Sequence, residues 1–172
     1  MLKQSRSYLF ALAALFLLLS CQTQAKAQRG PVVLSGAELT RVVPTSFYFQ
    51  GQSGPTQMRN SAAARLGANR YVIAGLVDTS GYSSDVRGTY EGFFITDSPV
   101  TVGGSELETG AYGFGFSTDG KMNIFDLGGR KLMSVDAQQD KPLRRPRPLM
   151  MSAPTDALRL YHGHNYVTIG AR

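Results

Sequence analysis

The chain has 172 residues, of which 42% are hydrophobic, enough for one packed domain and too many for a wholly disordered protein. Glycine is abundant at 19 residues and tryptophan is absent, a composition that favours strands joined by tight turns. Removal of residues 1–20, with Lys3 and Arg6, would leave 16 basic against 12 acidic residues, a net charge of +4. This mild charge does not indicate a nucleic-acid partner.

The N-terminal residues predict export. Lys3 and Arg6 precede an uninterrupted apolar run of twelve residues, Tyr8 to Leu19. A membrane-spanning helix needs about 20 residues, so the run is typical of a signal peptide. A buried core helix is the alternative, but such a helix would carry polar residues at helical spacing, and this run carries none.

Two cleavage sites compete. Leu18-Leu19-Ser20-Cys21 resembles the lipobox of bacterial lipoproteins, which implies a lipidated Cys21 as the new N-terminus. Ala25-Lys26-Ala27 instead fits the small-x-small site of an ordinary signal peptidase. Cys21 is the single cysteine of the chain, and lipidation would explain it. We expect a signal peptide over 1–20, or to 27, and a bacterial envelope protein, either a membrane-anchored lipoprotein or a free periplasmic or secreted form.

The remainder predicts a flexible tether, 21–34, and one β-rich domain, 35–172. Ser35 and Glu38 fit a capping box for a short helix that Pro44 would end, with an extended strand as the alternative. Strands are predicted at 46–50 and 89–96, and a hairpin is predicted to join 57–66 to 70–80. The alanines of 57–66 also suit a helix, which is the alternative for that segment. Residues 81–88 are predicted to form a polar loop.

The stretch VTVGGSELETGAYGFGF, residues 100–116, predicts a strand, a Gly-Gly turn and a second strand. Tyr112, Phe114 and Phe116 alternate onto one face, and small residues occupy the other, where another backbone or a ligand can approach. The pattern V-x-V-G-G-x-x-L-x-x-G-x-Y resembles an element of small exported bacterial β-domains of unknown function, which implies part of a sandwich and no activity.

Two further turns complete the predicted fold. Asp119-Gly120 is typical of a tight hairpin leading into KMNIFDL, and Gly128-Gly129 leads into RKLMSV. Short strands at this spacing predict an all-β domain, a single antiparallel sandwich or partly closed barrel.

Two C-terminal segments carry candidate sites. LRRPRPL interleaves Arg144, Arg145 and Arg147 with prolines, which favours an extended, polyproline-like segment able to meet an anionic headgroup, a polyanionic glycan or a partner's carboxylates. A solvated edge segment is the alternative. His162 and His164 would share one face of a strand and could bind a metal completed by a carboxylate such as Asp78, Asp85 or Asp97. Gly163 between them suggests a simple turn instead.

GLVDTSG, residues 75–81, resembles the hydrophobic-hydrophobic-Asp-Thr-Gly element of aspartic proteases, which implies a dimeric enzyme using Asp78. Ser80 stands where that family has glycine, and only two residues follow the VTIG that resembles its second element. A strand ending in a polar turn is the alternative. No other catalytic motif and no cofactor motif is present, so no cofactor is expected.

These observations support two hypotheses. The first is a non-catalytic envelope module that binds an envelope protein, a glycan or a small ligand, with Tyr82, Tyr90 and Phe94 at the contact surface together with the three arginines. The second is an exported hydrolase, in its sharpest form the dimeric Asp78 protease.

Overall fold

A computed structural model of the protein describes residues 30–67, 69–154 and 157–172. The predicted signal peptide, both cleavage sites and Cys21 lie outside the described residues. None of the helices in these ranges is long and apolar enough to cross a membrane.

Two antiparallel sheets form the domain. The first has the order β1-β3-β4-β5-β8-β9-β10, with β2 paired to β3; the second has the order β12-β13-β14-β6-β7, with β11 paired to β14. Across the described residues neither sheet closes on itself, so the predicted all-β sandwich is confirmed and the partly closed barrel is not observed. The elements are β1 (Val32–Val33), α1 (Gly36–Val42), β2 (Ser46–Phe49), β3 (Gln52–Arg65), β4 (Tyr71–Val77), α2 (Ser84–Arg87), β5 (Gly92–Thr96), β6 (Val100–Val102), β7 (Ser105–Leu107), β8 (Gly110–Phe116), β9 (Lys121–Phe125), β10 (Lys131–Asp136), β11 (Gln138–Gln139), β12 (Met150–Ser152), β13 (Leu158–His162) and β14 (Asn165–Ala171).

The hairpins predicted at Gly67, Asp119-Gly120 and Gly128-Gly129 are confirmed. Residues 100–116 differ from the prediction, because they form three strands: β6 and β7 pair in the second sheet, and β8 lies in the first. In β3–β4, Arg65 pairs with Tyr71 and Ala64 with Val72. In β8–β9, Phe116 pairs with Met122 across the Asp-Gly turn. Glycine suits these turns because the backbone there is left-handed, with φ of +77° at Gly67 and +80° at Gly120.

The inner core fills the space between the sheets. Alternate residues of the facing strands point into it, among them Phe94, Phe114 and Ile124 from the first sheet and Leu160 and Val167 from the second. The alternation along β8 is as predicted, because Phe114 is fully buried and Tyr112 and Phe116 pack partly buried against the same cluster.

A second, outer core covers the other face of the first sheet. Helix α1, strand β2 and the 78–91 connection supply it, and its centre is aromatic. Phe49 stacks on Tyr90 with ring centroids 4.0 Å apart, and Phe47 stacks on Phe93 at 5.0 Å. The central strands of the first sheet are therefore covered on both faces.

The small face of β8 serves this packing. A methyl group added at Gly113 would overlap the Phe49 ring, and one added at Gly115 would overlap the carbonyl oxygen of Thr89. The amide of Glu91 also donates to the carbonyl of Phe114, 2.9 Å away. The close neighbours of the small residues are thus a ring and a loop of the protein itself.

Three local predictions need correction. The sheet begins at Val32, and the amide of Leu34 donates to the carbonyl of Ala63 at 2.8 Å, so the last residues of the predicted tether belong to the domain. Helix α1 does form before Pro44, but the side chain of Ser35 makes no capping hydrogen bond. The predicted loop 81–88 contains the short helix α2.

Candidate functional site

An exposed basic segment, residues 140–147, is the most distinctive surface feature; we call it the basic loop. Lys141, Arg144, Arg145 and Arg147 are all exposed. No ion pair joins any of the four to a carboxylate among the described residues. The backbone here forms turns and bends, with the amide of Leu143 donating to the carbonyl of Asp140 at 3.2 Å, so a continuous polyproline helix is not observed.

The turn between β13 and β14 holds both ends of the basic loop. The amide of Asp140 donates to the carbonyl of His164 at 2.9 Å, and His164 Nδ1 lies 3.1 Å from the carbonyl oxygen of Asp140. The amide of Gly163 donates to the carbonyl of Arg147 at 2.9 Å. A surface loop whose two ends are held close together is an Ω-type loop, a form often used for function.

The carboxylate of Asp140 is engaged within the fold. It accepts a hydrogen bond from the Tyr161 hydroxyl at 2.9 Å and lies 3.8 Å from Arg159 Nη1. Burial raises the pKa of Tyr161, which keeps this hydroxyl a donor. The guanidinium of Arg159 also stacks over the Tyr166 ring, 4.5 Å from its centroid. Because Arg159 compensates Asp140, this carboxylate does not offset the four cations of the loop.

The net positive charge of the domain comes from the basic loop. Residues 30–172 contain 14 basic and 12 acidic residues; outside the loop's four cations, 10 basic residues face the same 12 acidic ones. The excess positive charge is therefore concentrated on one short segment. Sequence patterning found its arginines and suggested the turn at Gly163. The attachment of the loop to that turn was not predicted, because Asp140 and His164 are 24 positions apart.

The aromatic candidates lie in the cores. Phe94 is buried between the sheets, and Tyr82 and Tyr90 are buried in the outer core, where their rings meet edge to face with centroids 5.4 Å apart. Their rings thus form no exposed contact surface. No pattern in the sequence indicated directly that the outer face of the first sheet would be covered.

The two histidines flank a turn. Gly163 is left-handed at φ +61°, and the imidazoles meet different groups. His162 Nε2 lies 3.4 Å from Glu91 Oε1 and its ring stacks on Phe116 at 4.9 Å, whereas His164 faces the backbone of Asp140. Within the described ranges, no three histidine, cysteine or acidic side chains are placed to hold a metal ion.

Asp78 follows β4 in an exposed turn. Its Oδ1 accepts a hydrogen bond from the amide of Ser80 at 3.0 Å, and this bond lowers the pKa of the carboxyl. The contact is that of a polar turn at the end of a strand.

A cleft of about 530 Å³ opens at the other end of the sandwich. It is lined by separate segments, including Leu66, Arg70, Thr101, Thr168 and Gly170, which no single sequence motif could reveal. The guanidinium of Arg70 already bonds to the carbonyls of Leu66 at 3.0 Å and Arg172 at 3.2 Å. The cationic group of this cleft is therefore used within the fold.

The chain was compared with protein-family models, with curated proteins and with solved structures. None of the three comparisons found a match.

Proposed function

We propose that this protein is an exported, non-catalytic β-sandwich module of the bacterial cell envelope that binds an anionic partner through the basic loop. One observation carries the proposal: four exposed cations stand without ion pairs, within the described structure, on a loop whose two ends are hydrogen-bonded to one turn. Hydrogen bonds between guanidinium groups and carboxylates or phosphates are among the strongest that a protein surface can offer.

Attachment of the loop at both ends supports binding energetically. Ordering a mobile segment on association costs free energy, which lowers the affinity. Here Asp140 and Arg147 are already held by the β13–β14 turn, and Leu149 is fully buried just beyond the loop. Part of that cost is thus met by folding.

The binding prediction is tested by thermal unfolding of the full mature protein with anionic and neutral glycans, lipids and envelope extracts. We expect stabilisation by anionic probes that weakens with salt, worth about 2.7 kcal/mol when the probe is at 100 times its Kd. The triple variant Arg144→Gln, Arg145→Gln, Arg147→Gln should lose this stabilisation. If no anionic probe stabilises the wild type at low salt, the proposal is wrong.

The proposed location in the cell envelope is inferred from Cys21 and the apolar run before it. A lipidated Cys21 would anchor the protein stably, since each buried methylene contributes about 0.8 kcal/mol. Fractionation and mass spectrometry of the mature N-terminus should find an acylated Cys21, and Cys21→Ala should leave the detergent phase. An unmodified chain beginning at Gln28 would exclude the lipoprotein form but not export.

A further inference from the structure

We infer that the partner of the basic loop is a polyanionic glycan, a polymer with carboxylates or phosphates on successive sugars, lying away from the membrane that would hold Cys21. This inference rests on the proposed function and specifies its partner. Three features of the loop support it: the side chains it exposes, its position in the domain and the chemistry of its cations.

The exposed side chains of the loop suit a polymer better than a protein partner. Apart from its four cations the loop exposes prolines, while Leu143 is half-buried and Leu149 beyond it is buried. Protein interfaces draw most of their binding energy from a few Trp, Tyr and Arg side chains packed into desolvated pockets. The loop supplies arginines but no aromatic side chain to accompany them, whereas a charged polymer needs only spaced, accessible cations.

The position of the loop argues against the anchoring membrane as its binding partner. Val32 pairs with Arg65 beside the β3–β4 turn, and Arg70 of that turn bonds to the carbonyl of Arg172. The C-terminal end of β14 therefore lies at the same end of the domain as β1. The basic loop is attached at the other end of β14, seven residues away, or about 20 Å at 3.3 Å per residue.

The tether has limited length for bringing the loop back. Eleven peptide units separate Cys21 from Val32, which at full extension span at most about 40 Å. To bring the loop to the membrane, the tether would have to run back along the side of the domain, which would take up about half of its length. The loop also has no aromatic residue that could insert at a membrane surface, and its one leucine, Leu143, is half-buried.

The chemistry of the cations favours a partner that carries several carboxylates or phosphates in a row. Three of the four are arginines, whose planar guanidinium binds carboxylate or phosphate through two parallel hydrogen bonds. Pro142, Pro146 and Pro148 restrict the backbone around them. Such a row of spaced guanidinium groups matches the repeated charges of a linear acidic polysaccharide.

The test measures binding of the full mature protein to polygalacturonate, to a neutral glucan and to phosphatidylglycerol vesicles, at several salt concentrations. We expect polygalacturonate to bind, the glucan not to bind, and vesicles to bind at least tenfold more weakly. The triple variant Arg144→Gln, Arg145→Gln, Arg147→Gln should raise the Kd for polygalacturonate by tenfold or more. A matched triple, Arg41→Gln, Arg59→Gln, Arg87→Gln, removes the same charge from other exposed positions and should change the Kd less than threefold.

The outcomes separate the inference from the proposed function. Vesicle binding that equals or exceeds polymer binding, with the same dependence on the loop arginines, would overturn the glycan inference and leave the loop as an anion-binding site. Equal losses in the two triple variants would overturn it as well, because net charge alone would then explain binding. Absence of binding to both anionic probes at low salt would refute the proposed function itself.

Discussion

Two tyrosines of the outer core show how one hydroxyl group can help a fold while its neighbour does not. The Tyr82 hydroxyl donates to the carbonyl of Gln52 at 3.1 Å. The Tyr90 hydroxyl is buried, and no hydrogen bond of standard geometry reaches it among the described residues, although burial and the neighbouring Tyr82 hydroxyl, which interacts with it, both raise its pKa. A buried polar group without a partner costs free energy, whereas a satisfied one contributes modestly to stability.

Removing each hydroxyl should therefore have opposite effects. Tyr82→Phe is expected to lower the free energy of unfolding by about 1 kcal/mol, because it deletes the bond to Gln52. Tyr90→Phe is expected to leave it unchanged or raise it by up to about 1 kcal/mol. Urea unfolding of both variants measures the difference. An equal loss in the two would show that Tyr90 has a partner after all.

Alkaline pH probes the same site. Burial raises the pKa of Tyr90 well above its ordinary value of 10.0. A group whose pKa is raised by folding contributes stability that is complete below the unfolded pKa and is lost as pH rises towards the folded one. The urea midpoint of the wild type should therefore fall above about pH 10, and that of Tyr90→Phe should fall less. Tyr82, Tyr112 and Tyr161 also have raised pKa values, so some slope should remain in the variant. Identical pH profiles would contradict the prediction.

Strand β2 is an element that covers the outer face of the first sheet. Its residues alternate between the outer core and solvent, so Phe49 is 1% exposed and the adjacent Tyr48 is 56% exposed. Phe49 contacts Tyr90 by stacking and Phe125 edge to face, at 6.3 Å between centroids. One strand thus provides a core position and a matched surface position of similar size.

Truncation of these neighbours should separate the two roles. Phe49→Ala is expected to lower the free energy of unfolding by about 3–5 kcal/mol, since it leaves a cavity under the Tyr90 ring. Tyr48→Ala should cost less than about 0.5 kcal/mol, as is usual for an exposed position. Chemical denaturation measures both. Comparable losses would mean that β2 does not pack as a cover.

Elements joined by short turns were predictable, and elements joined by distant contacts were not. The hairpins β3–β4 and β8–β9 followed from apolar runs flanking Gly67 and Gly120. The outer cover was missed because it depends on pairs such as Phe49 and Tyr90, far apart in the chain. The same holds for the candidate site. The arginines of the basic loop and the turn at Gly163 were visible in the sequence, but the hydrogen bonds that join the loop to this turn were not.

At the scale of the whole molecule, the first sheet is shared by two cores. Phe94 of β5 points between the sheets, and the next residue towards the N-terminus, Phe93, points into the outer core. Loss of either core exposes one face of the same strands. The domain should for this reason unfold as a single cooperative unit, as small single domains usually do.

Variants on opposite sides of the first sheet test this cooperativity. Leu160 is fully buried in the inner core and Phe49 in the outer one, so Leu160→Ala should cost about 2–5 kcal/mol, a range that overlaps the loss expected for Phe49→Ala. In each variant, far-ultraviolet circular dichroism and tyrosine fluorescence should report one coincident transition, shifted as a whole to lower urea. Ser134→Ala, at an exposed position of β10, is the control and should leave the midpoint nearly unchanged. A second transition in Phe49→Ala, with the inner core still folded, would show that the outer cover unfolds independently, because the sheet beneath it is stable with one face exposed.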